Sequence, residues 1–123
     1  MKKMILSVDD MPEILSGVKS ALGFKYNVIG ITSAAEALIF LKNHTPDLII
    51  LDIDMPFMDG YDVATLIRKD EKHADIPIIF LTSNATRGHV IKAIESGGND
   101  YVVKPIKHVV LQSKVKKHLD NTW

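Results

Sequence analysis

"LIILDIDMPFMDG", residues 48–60, runs four apolar residues straight into an aspartate, Asp52. A second acid, Asp54, and a proline, Pro56, follow at once. A short, continuous apolar run is the pattern of a strand buried on both faces, as in a parallel sheet. Ending such a strand on a carboxylate is costly unless something there binds the charge.

Four more runs of the same kind flank this one: "MILSV" (4–8), "YNVIGI" (26–31), "IPIIFLT" (76–82) and "DYVVK" (100–104), with "DLIILD" (47–52) as the third in order. Helical spacing fills the gaps. Ile14, Leu15, Val18 and Leu22 fall on one face, with Pro12 at a favourable first-turn position. Ala34, Ala37, Leu38 and Leu41 repeat the pattern, and Ser33 with Glu36 reads as a capping box. Val63, Leu66 and Ile67 follow Gly60; Val90, Ile91 and Ile94 follow Thr86; Leu111, Val115 and Leu119 stack at intervals of four. Five βα units in strict alternation predict an α/β fold: a five-stranded parallel sheet with helices on both faces and right-handed crossovers. Gly88, inside the fourth helical pattern, weakens that helix by about 1 kcal/mol relative to Ala.

Composition narrows the class. With 123 residues the chain reads as one domain, 1–123, large enough for a real core. Fifteen bases balance fifteen acids, which argues against a nucleic-acid-coating protein or a disordered tail. The absence of cysteine excludes disulfides and thiolate metal sites. No apolar run approaches the ~20 residues of a membrane span. The apolar run after Lys2 and Lys3 stops at Asp9, too early for a signal peptide, so the expected location is cytoplasmic. "DNTW" (120–123) fits either a terminus or the cut end of a longer chain.

In open α/β sheets, ligands bind beyond the carboxyl ends of the strands. The first strand ends at Asp9 and Asp10, the third at Asp52, the fourth at Thr82, followed by Ser83 and Asn84, and the fifth at Lys104. Each has an ordinary reading alone. An acid pair before "MP" complements a helix N-terminus; Asp52 opens a turn; Lys104 is a solvated charge before Pro105. Together they are three carboxylates, a hydroxyl and an ammonium on one edge. Crowded carboxylates raise one another's pKa, and a hard cation relieves them. Mg²⁺ suits such a site, because it binds through few carboxylates and keeps its waters. A carboxylate beside it can attack phosphorus and form an aspartyl phosphate, with Lys104 and Thr82 stabilising the phosphoryl oxygens. Asp52, on a middle strand, is the expected nucleophile.

These residues sit in "VDDMP", "LIILDIDMPFMDG", "IIFLTSN" and "GGNDYVVKPI", which jointly resemble the receiver domain of two-component response regulators, from about Lys3 to about Leu119. The resemblance implies a flavodoxin-like sheet of order 2-1-3-4-5, the order already known for chemotaxis receivers. It implies Asp52 as phosphoacceptor and Asp10 as a direct Mg²⁺ ligand, with Asp9 acting mainly through water. The Asp54 backbone carbonyl completes the implied ligand set. Thr82 corresponds to the switch hydroxyl, Lys104 to the phosphoryl-binding lysine and Tyr101 to the switch aromatic, with a cis peptide at Lys104–Pro105. The implied partners are a sensor histidine kinase or histidine phosphotransfer protein. A downstream protein would meet the face of the fourth helix, fifth strand and fifth helix, and the resemblance also allows a homodimer. No direct nucleic-acid contact by this chain is expected, and no enzymatic activity beyond its own phosphorylation and dephosphorylation. Three positions depart from the family's habit: Ser83 and Gly98 stand where a smaller residue and Ala are frequent, and Lys107 replaces a helix-capping residue.

Two other readings compete. "DIDMP" is similar to the Asp-x-Asp start of haloacid-dehalogenase-type phosphatases, but Pro56 interrupts that motif and Asp9–Asp10 goes unexplained by it. A receiver-like module used only for protein contacts would have no need of the five polar residues together.

Overall fold

The computed structural model describes residues 2–120; residues 121–123, and with them most of the "DNTW" stretch, lie outside the described part. Five strands, β1 (Met4–Val8), β2 (Asn27–Ile31), β3 (Leu48–Asp52), β4 (Ile78–Thr82) and β5 (Asp100–Val103), alternate with α1 (Pro12–Leu22), α2 (Ala34–Leu41), α3 (Gly60–Arg68), α4 (Arg87–Glu95) and α5 (His108–Leu119). A short 3-10 helix, Glu71–His73, precedes β4. All strand pairs are parallel, in the order β2-β1-β3-β4-β5. The α/β class and the strand order therefore agree with expectation. β1 matches its run and the other four strands are a residue or two shorter than theirs; Asp9, Asp10 and Lys104 lie just past the strand ends rather than on them.

Alternation of facing builds two cores. Leu6, Val8, Ile49, Leu51, Ile78 and Phe80 face α2, α3 and the Ala93 side of α4. Ile5, Leu48, Ile50, Ile79, Leu81 and Val102 face α1 and α5. The central strands β3 and β4 are buried at every residue, whereas the edge strands β2 and β5 are only partly covered. Each fully buried Leu, Ile or Phe stabilises by roughly 2 kcal/mol. That is why β3 carries four such apolar positions before its aspartate.

Helix starts follow local chemistry. Pro12 opens α1, the Ser33 side chain accepts from Glu36 N (3.1 Å), and Asp59 accepts from Asp62 N (2.9 Å). Neither Thr86 before α4 nor Lys107 before α5 makes a side-chain cap to the helix backbone. One apolar pattern is misleading: in α4 the buried residue is Ala93, while Ile91 and Ile94 are exposed. Ala93 joins the cluster that holds the fully buried Phe80 ring. Among the described residues, no helix is long and apolar enough to cross a membrane.

Candidate functional site

The sheet register brings the site together. Asp52 pairs with Leu81, next to Thr82, and Thr82 pairs with Val103, next to Lys104. Val8 pairs with Leu51, which sets Asp9 beside Asp52. Carboxylate oxygens of Asp9, Asp10 and Asp52 all lie within 4.8 Å of one another. Asp9 and Asp52 are buried, whereas Asp10 is exposed at the mouth.

Lys104 closes the cluster from the β5 side. Its Nζ donates to Asp52 Oδ1 at 2.9 Å and stands 3.2 Å from Asp9 Oδ2. The backbone N–H of Asp54 also reaches Asp52 Oδ1, at 3.4 Å. Asp9 Oδ1 is fixed by the Met11 N–H at 2.9 Å. The peptide bond between Lys104 and Pro105 is cis.

One ammonium thus faces two carboxylates. Burial pulls the Lys104 ammonium down, but Asp52 and Asp9 beside it more than reverse this and hold it above its ordinary value. Burial pushes the Asp52 carboxyl up; the Lys104 hydrogen bond works against this, and the Asp9 charge adds to it. Asp52 is therefore left short of positive charge. Asp9 Oδ2 is buried and has no hydrogen-bond partner among the described residues; its contact with Lys104 is an ion pair without hydrogen-bond geometry. A buried, under-coordinated carboxylate oxygen beside two further carboxylates, with no nitrogen or sulfur donor in the set, fits a hard divalent cation such as Mg²⁺.

Thr82 is buried at the same edge, and its hydroxyl is engaged with Asn84. It donates to the Asn84 carbonyl (2.8 Å) and accepts from the Asn84 N–H (3.0 Å). Tyr101, half-buried on β5, lines a crevice with Ile53, Thr82, Asn84, His89, Val90 and Ala93. Ser83 Oγ reaches Asp54 Oδ2 at 3.5 Å, linking the loops on either side of Asp52.

Two contributions were not singled out from sequence. Gly60 opens α3 against the end of β3, where a Cβ would collide with the Asp52 carbonyl oxygen and lie 2.8 Å from Ile53 Cα. A glycine at the end of a turn-rich loop was the available signal. The Met11 amide that fixes Asp9 has none, because backbone donors are invisible in residue type. In the same loop Phe57 is fully exposed at a φ of 70°. A bulky residue in that region costs roughly 1–2 kcal/mol.

Known proteins share this architecture. The chain is 38% identical over 122 residues to the DNA-binding response regulator MtrA of Mycolicibacterium smegmatis, covering 97% of this chain and 51% of MtrA. It spans about half or less of the length of the first curated relatives it matches. Chemotaxis protein CheY4 of Vibrio cholerae superposes with a TM-score of 0.92 at 26% identity, covering 97% of this chain and 100% of that one. The receiver domain of the sensor histidine kinase PA1611 from Pseudomonas aeruginosa superposes with a TM-score of 0.88 at 30% identity, over 97% of this chain and 98% of that one. That protein holds a magnesium ion in its active site cleft. The family model for the response regulator receiver domain matches residues 5–116, nearly the whole chain, and the chain belongs to that family.

Proposed function

We propose that residues 1–123 form a receiver domain that accepts a phosphoryl group on Asp52 from a phosphohistidine. The donor would be a sensor histidine kinase or a histidine phosphotransfer protein. The observation that carries this reading is the contact of Lys104 Nζ with Asp52 Oδ1 at 2.9 Å, inside a cluster of three carboxylates. In the transfer, a carboxylate oxygen of Asp52 bonds to phosphorus while the P–N bond to the imidazole breaks, its electron pair staying on the imidazole nitrogen. Asp9, Asp10, Asp52 and the Asp54 backbone carbonyl would hold Mg²⁺, which when bound supplies charge neutralisation at the phosphoryl oxygens. Lys104 orients the acceptor and neutralises a further oxygen.

Thr82 and Tyr101 form the switch in this reading. A phosphoryl oxygen gives the Thr82 hydroxyl an acceptor stronger than the Asn84 carbonyl it now uses. Drawing Thr82 toward Asp52 enlarges the crevice that Tyr101 lines. The output surface is the face of α4, β5 and α5, where Ile91, Ile94, Val103, Val109 and Val110 are exposed. A downstream protein or a second copy would dock there. The domain works in the cytoplasm, makes no direct nucleic-acid contact, and catalyses only its own phosphorylation and dephosphorylation.

Intact mass spectrometry with acetyl phosphate tests the transfer. One phosphoryl group should add to the wild type with Mg²⁺, none with EDTA, and none to Asp52→Asn. Equal labelling of wild type and Asp52→Asn, or labelling in EDTA, contradicts the proposal.

A further inference from the structure

Lys114 belongs by sequence to a lysine-rich helix that reads as a solvated face. Its position in the structure is different. Nζ donates to Asp100 Oδ1 at 2.7 Å and to the Tyr101 carbonyl at 2.8 Å. The same ammonium stands 4.7 Å from the centroid of the Tyr101 ring. Asp100 is itself held: its other oxygen, Oδ2, meets His118 Nε2 at 3.0 Å and Lys117 Nζ at 3.8 Å. Only 10% of the Asp100 side chain is exposed.

The geometry matters because two of the three contacts do not involve the ring. Asp100 and the Tyr101 carbonyl fix the ammonium whatever the ring does. Only the cation–ring contact is lost if the ring moves. A pre-positioned cation therefore favours one ring position over any other by the full value of that contact. Tyr101 borders the crevice of Thr82 and Asn84, and Thr82 there gives its proton to Asn84 rather than to Asp52. The ring position that Lys114 favours is the one that accompanies this arrangement of Thr82.

We propose that Lys114 is a positioning residue for Tyr101. Anchored by Asp100 and the Tyr101 carbonyl, it holds the ring against the phosphoryl-driven rearrangement and sets how far the resting equilibrium leans. The inference rests on the switch reading given above. A contact of this kind biases a two-position equilibrium by about two- to fivefold. The same factor appears in the affinity for any ligand that selects the other position.

Amide NMR of the full chain with Mg²⁺ and beryllofluoride tests this. In wild type, the amides of residues 84–104 should move on saturation and so define an axis between the two states. Lys114→Met keeps the apolar stem and removes the charge. Its amides, before beryllofluoride, should be displaced along that axis, and its half-saturating beryllofluoride concentration should fall about two- to fivefold. Lys114→Arg keeps the cation and should stay at the wild-type position. The proposal is overturned if Lys114→Met keeps wild-type shifts and half-saturation. It is equally overturned if Lys114→Met and Lys114→Arg are displaced alike and off the axis, which is the mark of a merely structural role. If the wild-type amides do not respond to beryllofluoride, the switch reading itself fails. The ring couplings of Tyr101 then decide the positioning role alone: averaged rotamers in Lys114→Met support it, and unchanged couplings overturn it.

Discussion

Asp52 is the residue on which the account turns, and its surroundings make a thermodynamic claim. Burial holds its carboxyl up, the Lys104 hydrogen bond opposes that, and Asp9 adds repulsion. The folded protein therefore carries a charge that it stabilises incompletely. Replacing it with a neutral isostere removes that cost. Asp52→Asn should raise the melting temperature at neutral pH, without divalent cation, by about 4 °C, equivalent to about 1 kcal/mol at this size. Adding Mg²⁺ should stabilise the wild type and narrow the gap, because a ligand of the folded state raises its stability. A lower melting temperature for Asp52→Asn in EDTA would count against this view of the site. Ser7 makes a parallel case in β1, where its buried hydroxyl has no hydrogen-bond partner among the described residues. Ser7→Ala removes that hydroxyl and should be neutral or stabilising in a thermal melt.

At the scale of elements, α4 and β5 separate what sequence tells from what it hides. The buried strands were legible because Leu48–Leu51 and Ile78–Leu81 must be apolar to lie between two helical layers. The site acids were legible because a carboxylate ending such a strand needs a partner. The buried side of α4 was not, since Ile91 and Ile94 look like core residues and are exposed. The side of α4 that is buried carries Ala93, in the cluster of the Phe80 ring, a contact distant in sequence. The same ring explains Gly98, which stands where Ala is frequent in the family: a Cβ there would collide with Phe80 and come within 2.9 Å of the Ala93 carbonyl. Gly98→Ala should therefore destabilise by about 1–3 kcal/mol, as overpacking does. Phe80→Leu in the same chain should recover part of that loss in a denaturant titration. Additive losses in the double variant would mean that the collision is not with Phe80.

Asp100 belongs to the same pair of elements and makes a pH prediction. Burial pushes its carboxyl up, but hydrogen bonds from Lys114, His118 and the Tyr101 N–H outweigh this and leave it below its ordinary 3.8. A depressed carboxyl contributes stability above its unfolded value and loses it as pH falls through the folded one. Asp100→Asn should therefore lower the melting temperature at pH 7 by roughly 4 °C, on the order of 1 kcal/mol. The difference should shrink below about pH 4, once the wild-type carboxyl also protonates. A constant difference down to pH 3 would show that the loss comes from packing and not from charge. None of this could be read from "DYVVK" alone. Lys114 and His118, which hold the carboxylate, come from α5, so the pairing is a contact distant in sequence.

For the whole molecule, the parallel sheet is what turns scattered residues into a site. Its order sets β3 at the centre, β1 and β4 beside it and β5 beyond, so that Asp9, Asp52, Thr82 and Lys104 reach one edge from four strands. The central claim is that this edge places one phosphoryl group on one carboxylate. Borohydride reduces an acyl phosphate to the alcohol, converting a phosphorylated aspartate to homoserine. Treatment of the Mg²⁺- and acetyl-phosphate-loaded protein, followed by peptide mapping, should find homoserine at position 52 and at no other aspartate, and none without Mg²⁺. Homoserine at Asp9, Asp10 or Asp54, or no homoserine at all, would contradict the account.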